Sequence, residues 1–242
     1  EALRRARAEG LDGRRHGLLP EEAAAITGWT SGDFKFVNPI ARGEAEVEFD
    51  TVDLGVSGFK ARCRLARQEV MPYVAVVSWA LSRLPTHRGG RLWRGHRRPI
   101  DEPFGAPVTF DGFTSFTVSR EQALDFVRDR ELGRSPRRTL VVIDAHRSAR
   151  YIADLSVRRW EGEVLFPLGT RFRVSGRGPS PEDERVVGEA LAELSAGVGS
   201  EARIDVVHLV EDGVESVASA AFSGLTGGCR DAAARPSLPR SV

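Results

Sequence analysis

Apolar residues recur at helical spacing in the first third of this chain and at strand spacing after it. Pro20-Glu21-Glu22 puts proline in a first turn and acids near the positive end of a helix dipole, so a helix is predicted from Pro20 through Ala23–Ile26, stopping near Gly28. Residues 1–18, rich in Arg, Ala and Gly, read as a weakly helical linker. Trp29, Phe34 and Phe36 are spaced like core anchors, and 43–53 read as an acidic loop. Between Gly58 and Leu84, Phe59, Cys63, Ala66 and Val70 form one helical stripe. Pro72 is expected to break it, with Val74, Val77, Leu81 and Leu84 continuing in a second helix.

Beyond Pro85 the period changes. Strands are predicted at 91–95, 108–118, 139–143, 171–174 and 204–210. Ser119-Arg120-Glu121-Gln122 matches a capping box and opens a helix with Ala123, Leu124, Phe126 and Val127, of which Phe126 is expected to pack in the core. Ser180-Pro181-Glu182-Asp183 opens another, reaching about Leu194. Helices first and strands later predict an α+β fold, N-terminal helices on a mostly antiparallel two-sheet β core. The Gly/Pro/Arg-rich end reads as a disordered tail.

At 242 residues, 41% hydrophobic and 29% charged, the chain can bury a sizeable core. A net charge of +1 gives no bias toward nucleic acid, which is not an expected partner. Apolar runs fall short of the roughly 20 residues of a membrane span, and the sequence shows no signal-peptide core, so no membrane association is expected. The chain opens on Glu1, and we expect it to be part of something longer. Cys63 and Cys229 allow one disulfide, although a buried Cys63 and an exposed Cys229 is the favoured reading. The five histidines show no ligand spacing, and no metal is expected.

Chemistry enters with Glu161-Gly162-Glu163, ahead of the apolar run Val164-Leu165-Phe166. On a strand, residues two apart share a face, so the carboxylates would point together and raise each other's cost of ionisation. Alone, such a pair reads more readily as a solvated strand start. Two other stretches change this: Leu92-Trp93-Arg94-Gly95, an arginine among apolar strand residues, and Gly112-Phe113-Thr114-Ser115-Phe116-Thr117, a hydroxyl-rich strand before a helix. In this order, with Glu-Val-Leu-Phe-Pro-x-Gly-Thr starting at the second carboxylate, they resemble the toxin-type mono-ADP-ribosyltransferases of the arginine-serine-glutamate class, Glu-x-Glu subgroup.

The resemblance spans residues 20–212 and implies a residue-by-residue assignment. Glu163 would stabilise the oxocarbenium-like state formed when ribose parts from nicotinamide, and bind a ribose hydroxyl. Arg94 would hold a phosphate of NAD+ in its guanidinium fork, and the Gly95 backbone the nicotinamide amide. Ser115 would orient Glu163, with Thr117 also in the NAD+ site. Glu161 would serve the attacking acceptor, and glutamate there resembles the arginine-modifying members. Phe116 and Thr117 depart from the usual Ser-Thr-Ser strand. A helix within 176–202 stands where relatives have a short turn. Tyr151 and Trp160 flank the loop that in relatives meets the acceptor protein.

The implied organisation is a linker at 1–19, a catalytic domain at 20–224 (helical to 88, β-rich after it, with the 176–202 insertion) and a tail at 225–242. The implied activity is an NAD+-dependent arginine-specific mono-ADP-ribosyltransferase, a secreted or delivered bacterial toxin or effector, with NAD+ as substrate. Its partners would be a target protein bearing the acceptor arginine and a cognate neutralising protein. An NAD+ glycohydrolase and a catalytically silent binding module of the same fold stay open as alternatives.

Overall fold

The computed structural model describes residues 13–50, 62–110, 112–128, 136–199 and 201–214. Phe59, Cys229, residues 1–12 and the expected tail at 225–242 lie outside the described residues.

The N-terminal layer is helical. Helix α1 (Pro20–Gly28) begins where proline and acids place it. The Glu22 carboxylate accepts from the Leu19 backbone N–H at 2.7 Å and from Arg83 at 3.0 Å, satisfying one of the helix's orphan donors. A π turn (Trp29–Asp33) with Gly32 at φ 127° leads into α2 (Phe34–Ala41). Ile26, Val37, Ile40, Val74, Val77 and Leu81 form the core between these helices and α3 (Arg67–Arg83). Pro72 lies inside α3 without ending it. It lacks one N–H near the helix start, and the buried residues Val70, Val74 and Val77 on either side hold the helix together.

The segment around Cys63 is not helical. Strand β1 (Glu46–Asp50) pairs antiparallel with β2 (Arg62–Ala66), with Val47 opposite Leu65 and Glu48 opposite Arg64. Arg64 also bonds Glu46, so cross-strand pairing offsets the acids that made this stretch read as a loop. Cys63 is half-buried in β2 rather than fully buried.

The remaining strands are β3 (Leu92–His96), β4 (Pro107–Thr109), β5 (Thr114–Thr117), β6 (Arg137–Ala145), β7 (Arg150–Tyr151), β8 (Glu163–Phe166), β9 (Arg171–Arg177) and β10 (Arg203–Glu211). Their order is β4-β9-β10-β6-β3-β5-β8-β7, antiparallel throughout except for the parallel pair β10–β6. The predicted strand at 108–118 is two strands, β4 and β5, in different halves of the sheet. Gly112, at φ 116°, lets the chain turn between them.

β3 and β5 share a single register pair, Trp93 with Thr117, whereas β3 and β6 pair along five residues. The ladder therefore divides into a five-stranded and a three-stranded half. These halves pack through one apolar cluster, in which Phe116, Val164 and Phe166 meet Val141, Ile143 and Phe172; the Phe166 and Phe172 rings lie 5.0 Å apart. The core is thus the expected mostly antiparallel two-sheet arrangement, with the helical layer on the three-stranded half through Leu165, Phe113 and Trp29.

Helices α4 (Arg120–Arg128) and α5 (Pro181–Val198) cover the outer face of the five-stranded half. Leu124, Val187 and Ala190 pack there on Leu140, Val142 and Val206. Half of the predicted capping box is present: Ser119 Oγ accepts from the Gln122 N–H at 3.2 Å. The Ser119 N–H, which Gln122 was expected to satisfy, donates to Thr117 Oγ1 at 2.9 Å. Three ion pairs, Arg91–Glu182, Arg120–Asp183 and Arg128–Glu193, fasten α5 down. The helix within 176–202 therefore backs the sheet.

One side chain docks the helical layer onto β5. Asn38 Nδ2 donates to the Phe113 carbonyl at 3.1 Å, and the Phe113 N–H donates to Asn38 Oδ1 at 3.0 Å. Asn38→Ala leaves a buried N–H without its partner and should lower stability by about 1–3 kcal/mol in a urea titration. An unchanged unfolding midpoint would remove Asn38 from this role.

Candidate active site

The six residues singled out in the sequence, Arg94, Gly95, Ser115, Thr117, Glu161 and Glu163, all line one cleft of about 410 Å³, at the junction where β3 and β5 part. Each arrives from a different local cause.

Arg94 follows Leu92 by two and shares its strand face. That face carries the aromatic cluster, and the guanidinium sits 6.0 Å from the ring centroids of both Phe110 and Phe116. Its Nη1 donates to the Ser115 carbonyl, while Nε is buried without a partner. Burial pushes its pKa down to about 10, against the opposing pull of Glu163; Arg97 adds to the lowering. Arg94 is still a cation at neutral pH, and it carries an unspent donor. The neighbouring His96 is driven down to about 4 by burial and by Arg94, Arg98 and Arg97, so it stays neutral in this positive field.

Gly95 is needed for packing. A Cβ there would lie 2.6 Å from the Ala123 carbonyl oxygen and 2.9 Å from the Val127 nitrogen, so β3 presses directly on the α4 backbone. Beyond Trp93, β3 has no register partner on β5, which leaves one edge of Arg94–His96 free of strand pairing on the cleft side.

Ser115 pairs with Leu165 across the β5–β8 ladder, which makes Glu163 its diagonal neighbour. Ser115 Oγ donates to Glu163 Oε1 at 2.6 Å. Glu163 is only 7% exposed. Burial pushes its pKa up to about 7, and Glu161 raises it further; hydrogen bonds from Ser115 and Trp29 and the charge of Arg94 pull the other way.

Glu161 and Glu163 do face one cleft, but not as neighbours on one strand. Glu161 ends a 3₁₀ turn (Arg159–Glu161), and Gly162 takes the left-handed conformation at φ 57°, ψ 43° before β8 starts at Glu163. A Cβ at Gly162 would also come within 2.8 Å of Val118. Thr117 fixes this turn by donating its hydroxyl to the Glu161 carbonyl, and the Val118 N–H donates to the Gly162 carbonyl at 3.1 Å. The Glu161 side chain is 18% exposed and pairs with Arg158 Nη1 at 3.3 Å.

The cleft includes residues that the sequence reading placed elsewhere. Trp29 is buried, but it lines the cleft and bonds Glu163. Phe34 and Phe126 are partly exposed cleft residues; for Phe126, the helix sends Ala123, Leu124 and Val127 inward and leaves it at the rim. Helical spacing could have separated Phe126 from those three. Nothing in the sequence near Asn38 or Arg158 marked either. Trp160 and Tyr151 are exposed, as docking residues would be and as unused surface residues also are. No group of three or more potential metal ligands occurs among the described residues.

The position of Glu163 makes stability depend on pH. Its folded pKa lies above its ordinary value of 4.5, so between 4.5 and about 7 the folded state holds a proton the unfolded chain has released. Stability from this group is complete below pH 4.5 and is lost as pH rises through 7, by roughly 3 kcal/mol. Glu163→Gln should flatten that descent in unfolding experiments across the window, and an identical pH profile for the variant would contradict the buried carboxyl.

No known protein-family profile matches the chain, and no curated protein matches it in sequence. Solved structures do. The ADP-ribosyltransferase Vis of Vibrio splendidus, in complex with agmatine, is 20% identical over 82% of this chain and 76% of that one, with a TM-score of 0.55. The ADP-ribosyltransferase HopU1 of Pseudomonas syringae is 21% identical over 85% and 81%, with a TM-score of 0.53. Exoenzyme S of Pseudomonas aeruginosa, in complex with human 14-3-3 protein beta and bound to carba-NAD, is 16% identical over 95% and 92%, at 0.55. The chain is built on the fold these bacterial ADP-ribosyltransferases share.

Proposed function

We propose that this chain is an NAD+-dependent mono-ADP-ribosyltransferase of the arginine-serine-glutamate class, a bacterial toxin or effector that modifies arginine. The observation that carries the reading is the 2.6 Å bond from Ser115 to a buried Glu163, in the same cleft as a half-buried Arg94 whose Nε is an unspent donor. The buried glutamate is not one that packing alone would choose, since burying an ion costs several kcal/mol. It and the Arg94 cation suit a substrate that is anionic at its pyrophosphate and becomes cationic at its ribose.

In this reading Arg94 holds a phosphate of NAD+ by charge-assisted hydrogen bonds. The free edge of β3 at Gly95 binds the nicotinamide amide through the backbone. Ser115 keeps the Glu163 carboxylate aimed, so that its charge lies where the ribosyl cation develops as the bond to nicotinamide breaks. A carboxyl with a pKa of about 7 must be ionised for that task. Nicotinamide release should therefore rise with pH through neutrality. Thr117 acts through the Glu161 carbonyl, setting the turn that presents Glu161. Glu161 takes a proton from the attacking guanidinium, and glutamate rather than glutamine here supports an arginine acceptor. The agmatine found on Vis, a guanidine of the same class, is consistent with it.

In this reading the catalytic unit is 20–224, with a linker before it and a tail after it, and it acts after secretion or delivery into a target cell. Its partners are the target protein and a neutralising protein. Among the described residues no helix is long and apolar enough to cross a membrane.

With labelled NAD+ and agmatine, Glu163→Gln should lose both transfer and nicotinamide release by at least about a hundredfold. Glu161→Gln should lose transfer by about a hundred- to ten-thousand-fold while keeping much of the hydrolysis. Agmatine transfer surviving in Glu161→Gln would sink the acceptor role, and nicotinamide release without transfer in the unmodified chain would make it a glycohydrolase.

A further inference from the structure

The cleft differs in charge from one end to the other. β3 and β5 run antiparallel with Trp93 opposite Thr117, so the path from Arg94 to His96 heads alongside β5 toward Phe113, the end that Asn38 of α2 grips. The His96 and Phe110 rings, 6.0 Å apart, meet at that end. The Glu161 turn hangs from the opposite end of β5, where the Val118 N–H bonds the Gly162 carbonyl. Among the described residues that line the cleft, Glu161 and Glu163 are the only carboxylates. Arg94, Arg97 and Arg98 follow β3 the other way.

Exposed arginines on a surface are ordinarily just solvated. Arg97 and Arg98 are exposed, but both line the cleft, and among the described residues neither has an ion pair or a side-chain hydrogen bond. Asp101, the nearest carboxylate along the chain, is taken by Arg137 at 2.9 Å. Their charge also reaches the cleft wall. Burial is the main cause of the lowered pKa values of Arg94 and His96, but Arg97 adds to both and Arg98 to the second.

Three cations at one end exceed what NAD+ can balance. Its pyrophosphate carries two negative charges, and its adenosine ribose ends in an uncharged diol. Sites that select NAD+ set an acidic side chain against that diol, where it also repels a 2′-phosphate, whereas an arginine accommodates the phosphorylated form. Here the arginines are present and the lining at this end holds no acid. Phe34, 43% exposed and one helical turn before Asn38, offers a ring face for adenine at the same end.

We propose that the cleft takes the 2′-phosphorylated dinucleotide NADP+ as a donor, with Arg97 and Arg98 holding its 2′-phosphate. The proposal rests on the reading of the cleft as an ADP-ribosyltransferase. A phosphate monoester carries about 1.5–2 negative charges at neutral pH, which two guanidinium groups match. The bond between ribose C1′ and the nicotinamide nitrogen breaks, and its electron pair leaves with neutral nicotinamide. The acceptor nitrogen forms the new bond to C1′, and its proton passes to the Glu161 carboxylate and then to water. The products are the 2′-phospho-ADP-ribosylated acceptor, nicotinamide and a proton.

The test measures kcat/KM for NADP+ and for NAD+ on the full chain with agmatine, identifying each product by mass so that traces of the other donor are not counted. The expected efficiency with NADP+ is at least about a tenth of that with NAD+. The double variant Arg97→Gln, Arg98→Gln should raise KM for NADP+ by about ten- to a hundredfold and KM for NAD+ by less. Calorimetry reads the same difference without turnover: adenosine 2′,5′-bisphosphate should bind the unmodified chain more tightly than AMP and lose that advantage in the double variant. NAD+ turnover with NADP+ used less than about a tenth as well would overturn this proposal alone. Equal losses for the two donors in the double variant would do the same. No nicotinamide release from either donor would remove the proposed function, and this proposal with it.

Discussion

The parting of β3 from β5 is the constraint on which the site depends. One residue pair, Trp93 with Thr117, joins the two halves of the sheet, and past it the strands separate. A continuous ladder would fill this space with backbone bonds. Its interruption leaves a strand edge, a half-buried arginine and a buried glutamate beside one another. The junction holds because the two halves are joined again behind it, through the aromatic cluster around Phe116, Phe166 and Phe172. Packing there carries the stability, which frees the junction for polar groups that would weaken a core.

The helical layer is part of the same arrangement. Trp29 at the end of α1 reaches the Glu163 carboxylate, and Asn38 on α2 grips the backbone at the start of β5. Ser115 follows that grip by two residues. The hydroxyl that orients Glu163 is thus positioned from the N-terminal layer as well as from its own strand. Thr117, at the other end of β5, ties down both the Glu161 turn and the start of α4. A strand of four residues is secured at each end by a side chain that mimics a backbone partner.

Much of this was legible in the sequence, for reasons that can be named. Buried strands such as β6 and β10 carry long apolar runs, and α5 begins at a Ser-Pro-acid signal, so both read correctly. Residues 62–66 did not, because Phe59, Cys63, Ala66 and Val70 fit a helical stripe while Arg62–Ala66 also fits strand alternation. The cross-strand partners that decide between the two readings lie 12 to 20 positions away, in 46–50. The paired carboxylates were read onto one strand face. They converge instead through a left-handed glycine, a conformation that Gly162 permits and that spacing alone does not reveal. Motif order marked Arg94, Ser115 and Glu163, which line one cleft. Trp29 and Phe34 were read only as core, since an aromatic lining a cleft and one filling a core have the same signature in a sequence.

Strand β10 is the last element in the described chain, yet it sits third in the sheet, between β9 and β6. With β6 it forms the one parallel pair among the described strands. On the ribosome, β4 and β9 can pair with each other but have nothing to attach to, and β6 keeps a bare edge until residues 203–211 emerge. The turn at Arg147 and Ser148 likewise waits for Glu211 to accept its two N–H groups. Sheets closed by distant pairings form slowly and late. The polypeptide therefore completes its sheet only once residues 203–211 are made, and a chain cut short before β10 would be a substrate for proteolysis.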